Sequence, residues 1–397
     1  MIRDMERLPS PRAREAVSAG PPVAPEPVRR SVSAEAAPAW EETRDDGYLR
    51  VLRTRYREGC VAELRKVPEE ALPALRSLEP GLSGLDCWLY LDIETTGLVG
   101  AGTLAFLVGL GEWNGEFFEI AQFLLKDRAG EERLLREVSA ELTDRPAVVT
   151  FNGRAFDLPV LQSRVVFAGM IPPRLPSVHL DLLSLVKNMG RRPEYGQSLR
   201  EAVRRFTGAA REGDIPGSLV PALYFVYERD GDLSVLEPVM RHNRLDVLDM
   251  ACLSWVFGHV LAGRRDAGDA AAFGGAGKLH YRKGNLDLAR RCLEAALDGG
   301  SPKNLRSLRL LGHVLRRQSQ WEAAEKVWEE VASSGEASDE DYLWLARCRE
   351  FTGGANESLE VVERAISLRR SLGQEPLPSL ISRKRRLERL MGRKGVS

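Results

Sequence analysis

The chain has 397 residues, 43% of them hydrophobic, and its 57 Lys and Arg residues equal its 57 Asp and Glu residues. This length allows two or three domains, each with a buried core. The balanced charge excludes a globally basic nucleic-acid-binding protein, so any contact with nucleic acid must come from local patches.

Several features of the sequence bear on the compartment. No apolar run reaches membrane-spanning length, and no early segment resembles a signal peptide. The five cysteines are scattered and form no C-x-x-C pair, which indicates buried free thiols in a reducing compartment. We therefore expect a cytoplasmic protein with no membrane partner.

The first segments of the chain differ in pattern from the later ones. Residues 1–45 are rich in Pro, Ala, Ser and Arg, and we predict a disordered arm because such a segment cannot offset the entropy of ordering. Between residues 46 and 84 apolar residues recur at mixed helical spacing, interrupted by Pro68 and Pro73. This spacing predicts a helical lead-in packed on the next domain.

The most informative stretch is CWLYLDIETTG at residues 87–97. Its apolar half predicts a strand buried on both faces, with a turn after it that leaves two acids at an open strand end. Side chains two apart on a strand share a side, so Asp92 and Glu94 can hold the same metal ion. The alternative is that Asp92 caps a helix and Glu94 is solvated.

The next elements along the chain suggest the fold. Residues 104–110 and 116–123 are predicted strands that form an antiparallel meander with the first strand. A helix over 131–142 and a short strand over 147–151 come next. This order is that of an α/β RNase H-like fold with a mixed sheet, which we place at residues 85–262.

Two further acids stand near predicted helix starts. Asp157 precedes an apolar helix, and the sequence leaves helix capping and metal binding equally open, because a strand and the acidic pair lie upstream. Asp181 is a secondary candidate, for which capping is the favoured interpretation.

A long amphipathic helix is predicted over residues 236–261. His242 and Asp246 are four residues apart and therefore lie on one face of this helix. A surface contact is the default interpretation of such a pair. The three acids upstream favour instead a ligand role for Asp246 beside a proton-accepting His242.

Together Asp92, Glu94, Asp157 and Asp246 can bind two divalent ions through oxygen, which favours Mg²⁺ or Mn²⁺. Two such ions about 4 Å apart stabilise the attacking and leaving oxygens in phosphodiester displacement. A histidine with an unperturbed pKa of about 6.5 suits the role of accepting the proton of the attacking water, which we assign to His242.

Several separated motifs resemble the YprB-type RNase H-like proteins of the DEDD (DnaQ-like) exonuclease superfamily. They are LDIETTG at 91–97, FLVG at 106–109, FNGRAFDLP at 151–159, HLDL at 179–182, DIPG at 214–217 and HNRLDV at 242–247. The resemblance implies a 3′-to-5′ exonuclease that acts on single-stranded DNA or RNA.

The same resemblance implies Asp92, Glu94, Asp157 and Asp246 as the acidic quartet and His242 as general base. Three residues separate His242 from Asp246, which is the spacing of the superfamily's tyrosine subgroup rather than its histidine subgroup. The candidate substrate-binding residues lie in the motifs around the first three acids and are Thr95, Thr96, Asn152 and Phe156.

The last third of the chain has a different character. Residues 263–275 are Gly- and Ala-rich and are predicted to be an interdomain linker. Residues 276–372 repeat small residues with a period of about 34, which resembles tetratricopeptide repeats, although any set of helical hairpins is the alternative. Residues 373–397 form a basic tail that either contacts phosphates or is a solvated helix end.

The sequence thus predicts a metal-dependent nuclease whose repeats recruit a protein partner. The alternative is a non-catalytic scaffold that binds nucleic acid or protein. The residues do not decide between DNA and RNA, or between exo- and endonuclease action.

Overall fold

The computed structural model describes residues 29–30, 37–61, 63–82, 84, 88–97, 102–189, 197–265, 268–298 and 304–394. Most of the predicted disordered arm, together with Cys87 and the turn residues Gly100 and Ala101, lies outside the described residues.

A mixed sheet forms the centre of the described structure. Its strands are β1 (Trp40–Asp45), β2 (Leu49–Arg57), β3 (Trp88–Thr95), β4 (Ala105–Asn114), β5 (Phe117–Leu125), β6 (Ala147–Thr150) and β7 (Val178–Asp181). Across the sheet they lie in the order β1-β2-β5-β4-β3-β6-β7. Strands β1 to β5 pair antiparallel, and β6 and β7 continue the sheet parallel to β3. The predicted meander and the mixed α/β class are confirmed.

The predicted helical lead-in is wrong, because residues 49–57 form β2. In the segment LRVLRTRYR, Leu49 and Val51 are buried in the core on one face of the sheet and Tyr56 is buried in the core on the other, while the arginines are more exposed. Among the described residues of the predicted lead-in, an α-helix forms only at α1 (Leu72–Leu78), after a 3₁₀ turn.

Part of the predicted disordered arm is also ordered. β1 pairs with β2 along its full length although all its side chains are exposed. An edge strand of this kind is held by backbone hydrogen bonds, so it needs no apolar pattern. Arg29–Arg30 form a short parallel pair with Ala209–Ala210.

The helices of the sheet domain cover both faces. They are α1, α2 (Glu131–Leu142), α3 (Asp157–Phe167), α4 (Leu182–Asn188), α5 (Leu199–Thr207), α6 (Val220–Asp230) and α7 (Glu237–Leu261). Helices α2, α3 and α6 pack on the face that carries Leu89 and Leu91, and α7 packs on the face that carries Trp88 and Tyr90. Strand alternation places Asp92 and Glu94 on this second face, under α7.

The predicted linker is wrong beyond residue 269, because helix α8 begins at Ala270. Phe273 and Ala276 are buried in the same core as Tyr90 and α7. A Cβ at Gly275 would clash with the backbone of Met189, so the small residues here allow close helix packing rather than flexibility. The first pair of C-terminal helices is therefore an extension of the core of the sheet domain.

The rest of the chain consists of helices that come one after another in pairs. They are α8 (Ala270–Lys283), α9 (Leu286–Leu297), α10 (Leu305–Arg317), α11 (Trp321–Ser333), α12 (Asp339–Thr352), α13 (Ala355–Ser371) and α14 (Pro378–Lys394). Small residues lie where paired helices cross. At the contact of α10 with α11, for example, a Cβ at Gly312 would lie 2.5 Å from Cε2 of Trp328. The assignment to tetratricopeptide repeats stays a prediction.

The basic tail is not a free tail, since α14 packs on α13. Leu380 and Leu387 are fully buried, and Arg383 and Arg386 bind Glu350. The arginines of the tail are thus partly neutralised by a fixed partner.

The cysteines and the helices bear on two further predictions. Cys252, Cys292 and Cys348 are free and buried, as predicted, but Cys60 is exposed. Among the described residues, no helix combines the length and apolar character that a membrane span requires.

Candidate functional site

The end of β3 and the first half of α7 form an acidic site. Asp92 and Glu94 are half-buried, whereas Leu91 and Ile93 enter the core of the opposite face. A register shift in the pairing of β3 with β4 falls between Glu94 and Thr95. The strand therefore ends just after the acidic pair, as the sequence indicates.

Asp157 joins this site from the first turn of α3. Its Oδ1 accepts a hydrogen bond from the backbone N–H of Ile93 at 3.2 Å. The N-cap of α3 is Phe156, and no side chain caps that end. The capping interpretation of Asp157 is therefore wrong. Its carboxylate instead binds the backbone of β3 at Ile93, the residue between Asp92 and Glu94.

The four acids lie close enough together to repel one another. Burial, then Asp246, Glu94 and Asp157, raise the pKa of Asp92 well above its ordinary value. Burial and the neighbouring acids raise the pKa of Glu94 to about 8, although His242 opposes the shift. Burial raises the pKa of Asp157 to about 7, with smaller contributions from Asp181 and Asp246. In the absence of a cation, protons stabilise this cluster.

Three of the predicted residues are close enough to share one metal ion. Ligand atoms of Glu94, His242 and Asp246 all lie within 4.8 Å of one another. Asp92 and Asp157 border this trio and interact with it electrostatically. The donor set is dominated by carboxylate oxygen, which fits Mg²⁺ or Mn²⁺.

His242 is fixed by Asp214, which sequence reasoning did not assign to the site. His242 Nδ1 lies 2.8 Å from Asp214 Oδ1, and His242 Nε2 lies 3.7 Å from Asp246 Oδ2. Burial alone would lower the pKa of His242, but the bond to Asp214 and the charges of Asp246 and Glu94 raise it. Nδ1 is thus committed to Asp214, and Nε2 faces the acids.

Arg211 is a second residue that the sequence did not reveal. Its fully buried guanidinium binds three aspartates, with Nη1 3.0 Å from Asp214, Nη2 2.5 Å from Asp246 and Nη2 2.6 Å from Asp249. Burial would lower the pKa of Arg211, but these acids raise it. For Asp214 burial opposes ionisation, yet His242 and Arg211 lower the pKa to about 2. Arg211 therefore holds Asp246 directly and His242 through Asp214.

A buried amide network positions Asp92. Asn243 Nδ2 donates to Asp92 Oδ2 at 2.8 Å, and Gln122 Nε2 donates to Asn243 Oδ1 at 2.9 Å. A Cβ at Gly109 would clash with the Asn243 amide, so only glycine leaves room for it. Gly109 belongs to one of the sequence motifs, but its partner on α7 was not predictable from spacing.

Asp181 caps α4 by accepting a hydrogen bond from Leu183 N–H at 3.1 Å, which is the role that the sequence favours for it. It also accepts from the backbone N–H groups of Asn152 and Arg154, so it holds the turn ahead of Asp157. Asn152 has φ +71°, and its backbone N–H donates to Asp181 in this turn.

The other candidate substrate-binding residues shape the turns around the site. Thr95 Oγ1 donates to Gly97 O at 2.6 Å, and Thr96 Oγ1 accepts from Leu104 N–H at 3.0 Å. Phe156 is partly buried against the core beneath α3. Their part in substrate binding stays a prediction.

Comparison with known proteins agrees with the fold and the motifs. Residues 89–256 match the family model described as the RNase H superfamily. This part of the chain has an RNase H-like fold. The chain is also 28% identical over 310 residues to the uncharacterized protein YprB of Bacillus subtilis (strain 168), covering 76% of this chain and 74% of that protein. These matches confirm the predicted resemblance to YprB-type RNase H-like proteins.

Among solved structures, the chain is similar to the family B DNA polymerase of the hyperthermophilic archaeon Pyrobaculum calidifontis, with a TM-score of 0.36 and 17% identity. The similarity covers 58% of this chain and 29% of the polymerase, so the chain spans less than a third of that protein.

The raised pKa of Glu94 predicts how stability depends on pH in the absence of metal. Between the ordinary value of 4.5 and about 8, the unfolded state has lost the proton that the folded state retains, so this group lowers stability as pH rises. We expect Glu94→Gln, measured by urea unfolding in chelator, to gain about 1–3 kcal/mol at pH 8 and little at pH 4. The exposed Glu116→Gln serves as control, and an equal gain at both pH values would contradict the electrostatic origin.

The network below Asp92 predicts different effects for two neighbouring glycines. A Cβ at Gly109 would meet Asn243, and one at Gly111 would meet Val247 and Phe118. We expect Gly109→Ala and Gly111→Ala each to cost about 1–3 kcal/mol of stability through overpacking. Only Gly109→Ala should also weaken Mn²⁺ binding, measured by calorimetry on folded protein, and equal Mn²⁺ affinity in the two variants would refute this role of Asn243.

Proposed function

We propose that this chain is a metal-dependent nuclease that removes nucleotides from the 3′ end of single-stranded nucleic acid. The observation that carries the proposal is the cluster of four acids, three with raised pKa values, at the open end of β3. Perturbed carboxylates that converge from three separate elements are typical of a functional site. The scattered free cysteines are consistent with the cytoplasmic location that we propose.

The residues present fit two divalent ions. Asp92, Glu94, Asp157 and Asp246 would hold them, and all supply hard oxygen ligands. When bound, such ions supply an activated water and charge stabilisation for phosphodiester displacement. The support from Ile93 N–H, Asn243 and Arg211 keeps three of these carboxylates in place before any ligand arrives.

His242 is suited to accept the proton of the attacking water at Nε2. Asp214 binds the other ring nitrogen, which fixes the ring orientation and stabilises the imidazolium after proton transfer. Because the acceptor must be the neutral imidazole and Asp214 favours the charged one, turnover should increase with pH through the titration of His242.

One observation favours the alternative of a non-catalytic scaffold. Arg211 already neutralises part of the charge of Asp246, a candidate ligand. A site with one acid neutralised could keep the fold while binding metal weakly. Metal affinity therefore separates the two functions.

The direct test uses 5′-labelled single-stranded DNA and RNA with Mn²⁺, with Mg²⁺ or with chelator. We expect a ladder that shortens from the 3′ end only with metal, and at least about 10³-fold slower cleavage by Asp92→Ala/Glu94→Ala. The exposed Glu116→Ala/Glu132→Ala pair is the matched control. Absence of cleavage together with absence of Mn²⁺ binding would support the scaffold alternative.

The role of His242 is tested separately because it lies within reach of the metal ligands. We expect His242→Gln to lower kcat about 10²-fold or more while Mn²⁺ affinity stays close to that of the wild type. The measurement is single-turnover cleavage together with calorimetric Mn²⁺ titration. A matching loss of Mn²⁺ affinity would identify His242 as a ligand rather than the proton acceptor.

A further inference from the structure

The C-terminal helices separate charge between two layers. The first helices of the pairs, α8, α10, α12 and α14, are called here the first-helix layer. Helix α8 carries three Lys and Arg residues and no acid, and α10 carries four arginines and no acid. In the other layer, α11 carries four glutamates and one lysine. Helix α12 carries four acids and two arginines, whereas α14 carries seven Lys and Arg residues and one acid. In a chain with no net charge, the first-helix layer as a whole is therefore basic, although α12 by itself is not.

Three arginines of this layer are held by aromatic rings. The guanidinium of Arg316 lies 4.6 Å from the ring centre of Trp344, and that of Arg347 lies 5.8 Å from the same ring. Arg317 lies 5.1 Å from the ring centre of Tyr281. Other arginines of this region, such as Arg349, form ion pairs.

Stacking on a ring fixes the plane of a guanidinium without using its N–H donors. The acids beside this surface are already engaged, because Arg309 binds Asp341 and both Arg383 and Arg386 bind Glu350. Glu340 accepts from the N–H of Trp344 at 3.4 Å. Arg316 and Arg347 are therefore ordered cations that retain donors for an anion.

We propose that the first-helix layer around Arg316, Trp344 and Arg347 binds the phosphate backbone of a nucleic-acid strand. This inference extends the proposed nuclease function and rests on it for the identity of the ligand. Arginines that lie on successive helices, Arg316 and Arg317 on α10 and Arg347 on α12, fit a polyanion, whose phosphates recur along the strand.

The distance to the acidic site limits which strands can use both surfaces. Helix α7 carries Asp246 in its first half and packs against α8 at its end near Leu261. About fifteen residues of helix separate these two points, or about 22 Å at about 1.5 Å per residue, and Arg316 and Arg347 lie on helices that come later in the chain than α8. A strand must therefore extend at least this far beyond the acidic site to contact both surfaces at once.

The test is fluorescence anisotropy of the full chain with labelled single-stranded DNA and RNA in chelator, where no cleavage occurs. Arg347 is exposed, so Arg347→Glu should fold, and exposed Arg370→Glu on α13 is the matched control. For strands of about 30 nucleotides we expect Arg347→Glu to weaken binding about tenfold at low salt. The slope of log K against log salt should fall by about 0.7 for each phosphate that the variant no longer neutralises.

The outcomes distinguish this inference from the nuclease proposal. Wild-type affinity and salt dependence in both Arg347→Glu and Arg316→Ala would overturn the inference, whether or not the protein cleaves nucleic acid. Weakened binding in these variants would support it even if no cleavage is found. Polyglutamate is a further probe: if only its binding depends on Arg347, the surface binds an acidic protein and the inference fails.

Discussion

The constraint on which the site depends is the confinement of four carboxylates under one helix. Burial and mutual repulsion raise the pKa values of Asp92, Glu94 and Asp157, so the metal-free fold retains protons at positions that are ordinarily ionised. The fold tolerates this because separate elements supply the opposing contacts. Ile93 N–H binds Asp157, and the Asn243 amide binds Asp92. Such a site is preorganised for a cation, since folding has already brought the acids together.

Helix α7 connects this site to the rest of the molecule. Its first half carries His242, Asn243 and Asp246, and its last residues pack against α8 and α9. The bond from His280 to Leu261 O and the burial of Phe273 make the first helical pair part of the same core. The later helices are thus mounted on the element that positions the acids, and His242 and Asp246 rest on a helix rather than on a loop.

The sequence predicts those parts of the fold and the site that depend on residues close together in the chain. The acidic pair of β3, the meander and the ends of α2 come from side-chain periodicity, and Asp181 caps a helix as its position indicates. Strand β2 is mistaken for a helix because its buried residues face both cores without a strict period of two, and apolar residues farther along the chain extend an apparent helical pattern. Strand β1 has no apolar pattern, and only pairing with β2 defines it.

The residues missed at the site act through long-range contacts. Arg211 and Asp214 stand in a polar loop, and although Asp214 opens the DIPG motif, its spacing does not show that it contacts His242 on α7. Gln122 reaches Asn243 from a strand 121 residues away along the chain. Asp157 could cap a helix or border a metal site, and only the position of Ile93 N–H resolves the choice.

The balanced net charge conceals two local surfaces of opposite sign. The acidic site repels a polyanion unless cations occupy it, so it contributes little to initial capture of a nucleic-acid strand. A basic surface on a separate part of the same molecule can supply that affinity without placing further positive side chains among the proposed metal ligands. Arg211 is the one arginine or lysine that binds a proposed ligand among the described residues, and its charge is shared among three aspartates inside the fold. Binding of the strand by the first-helix layer would then depend on salt concentration, whereas turnover at the acidic site would depend on metal concentration.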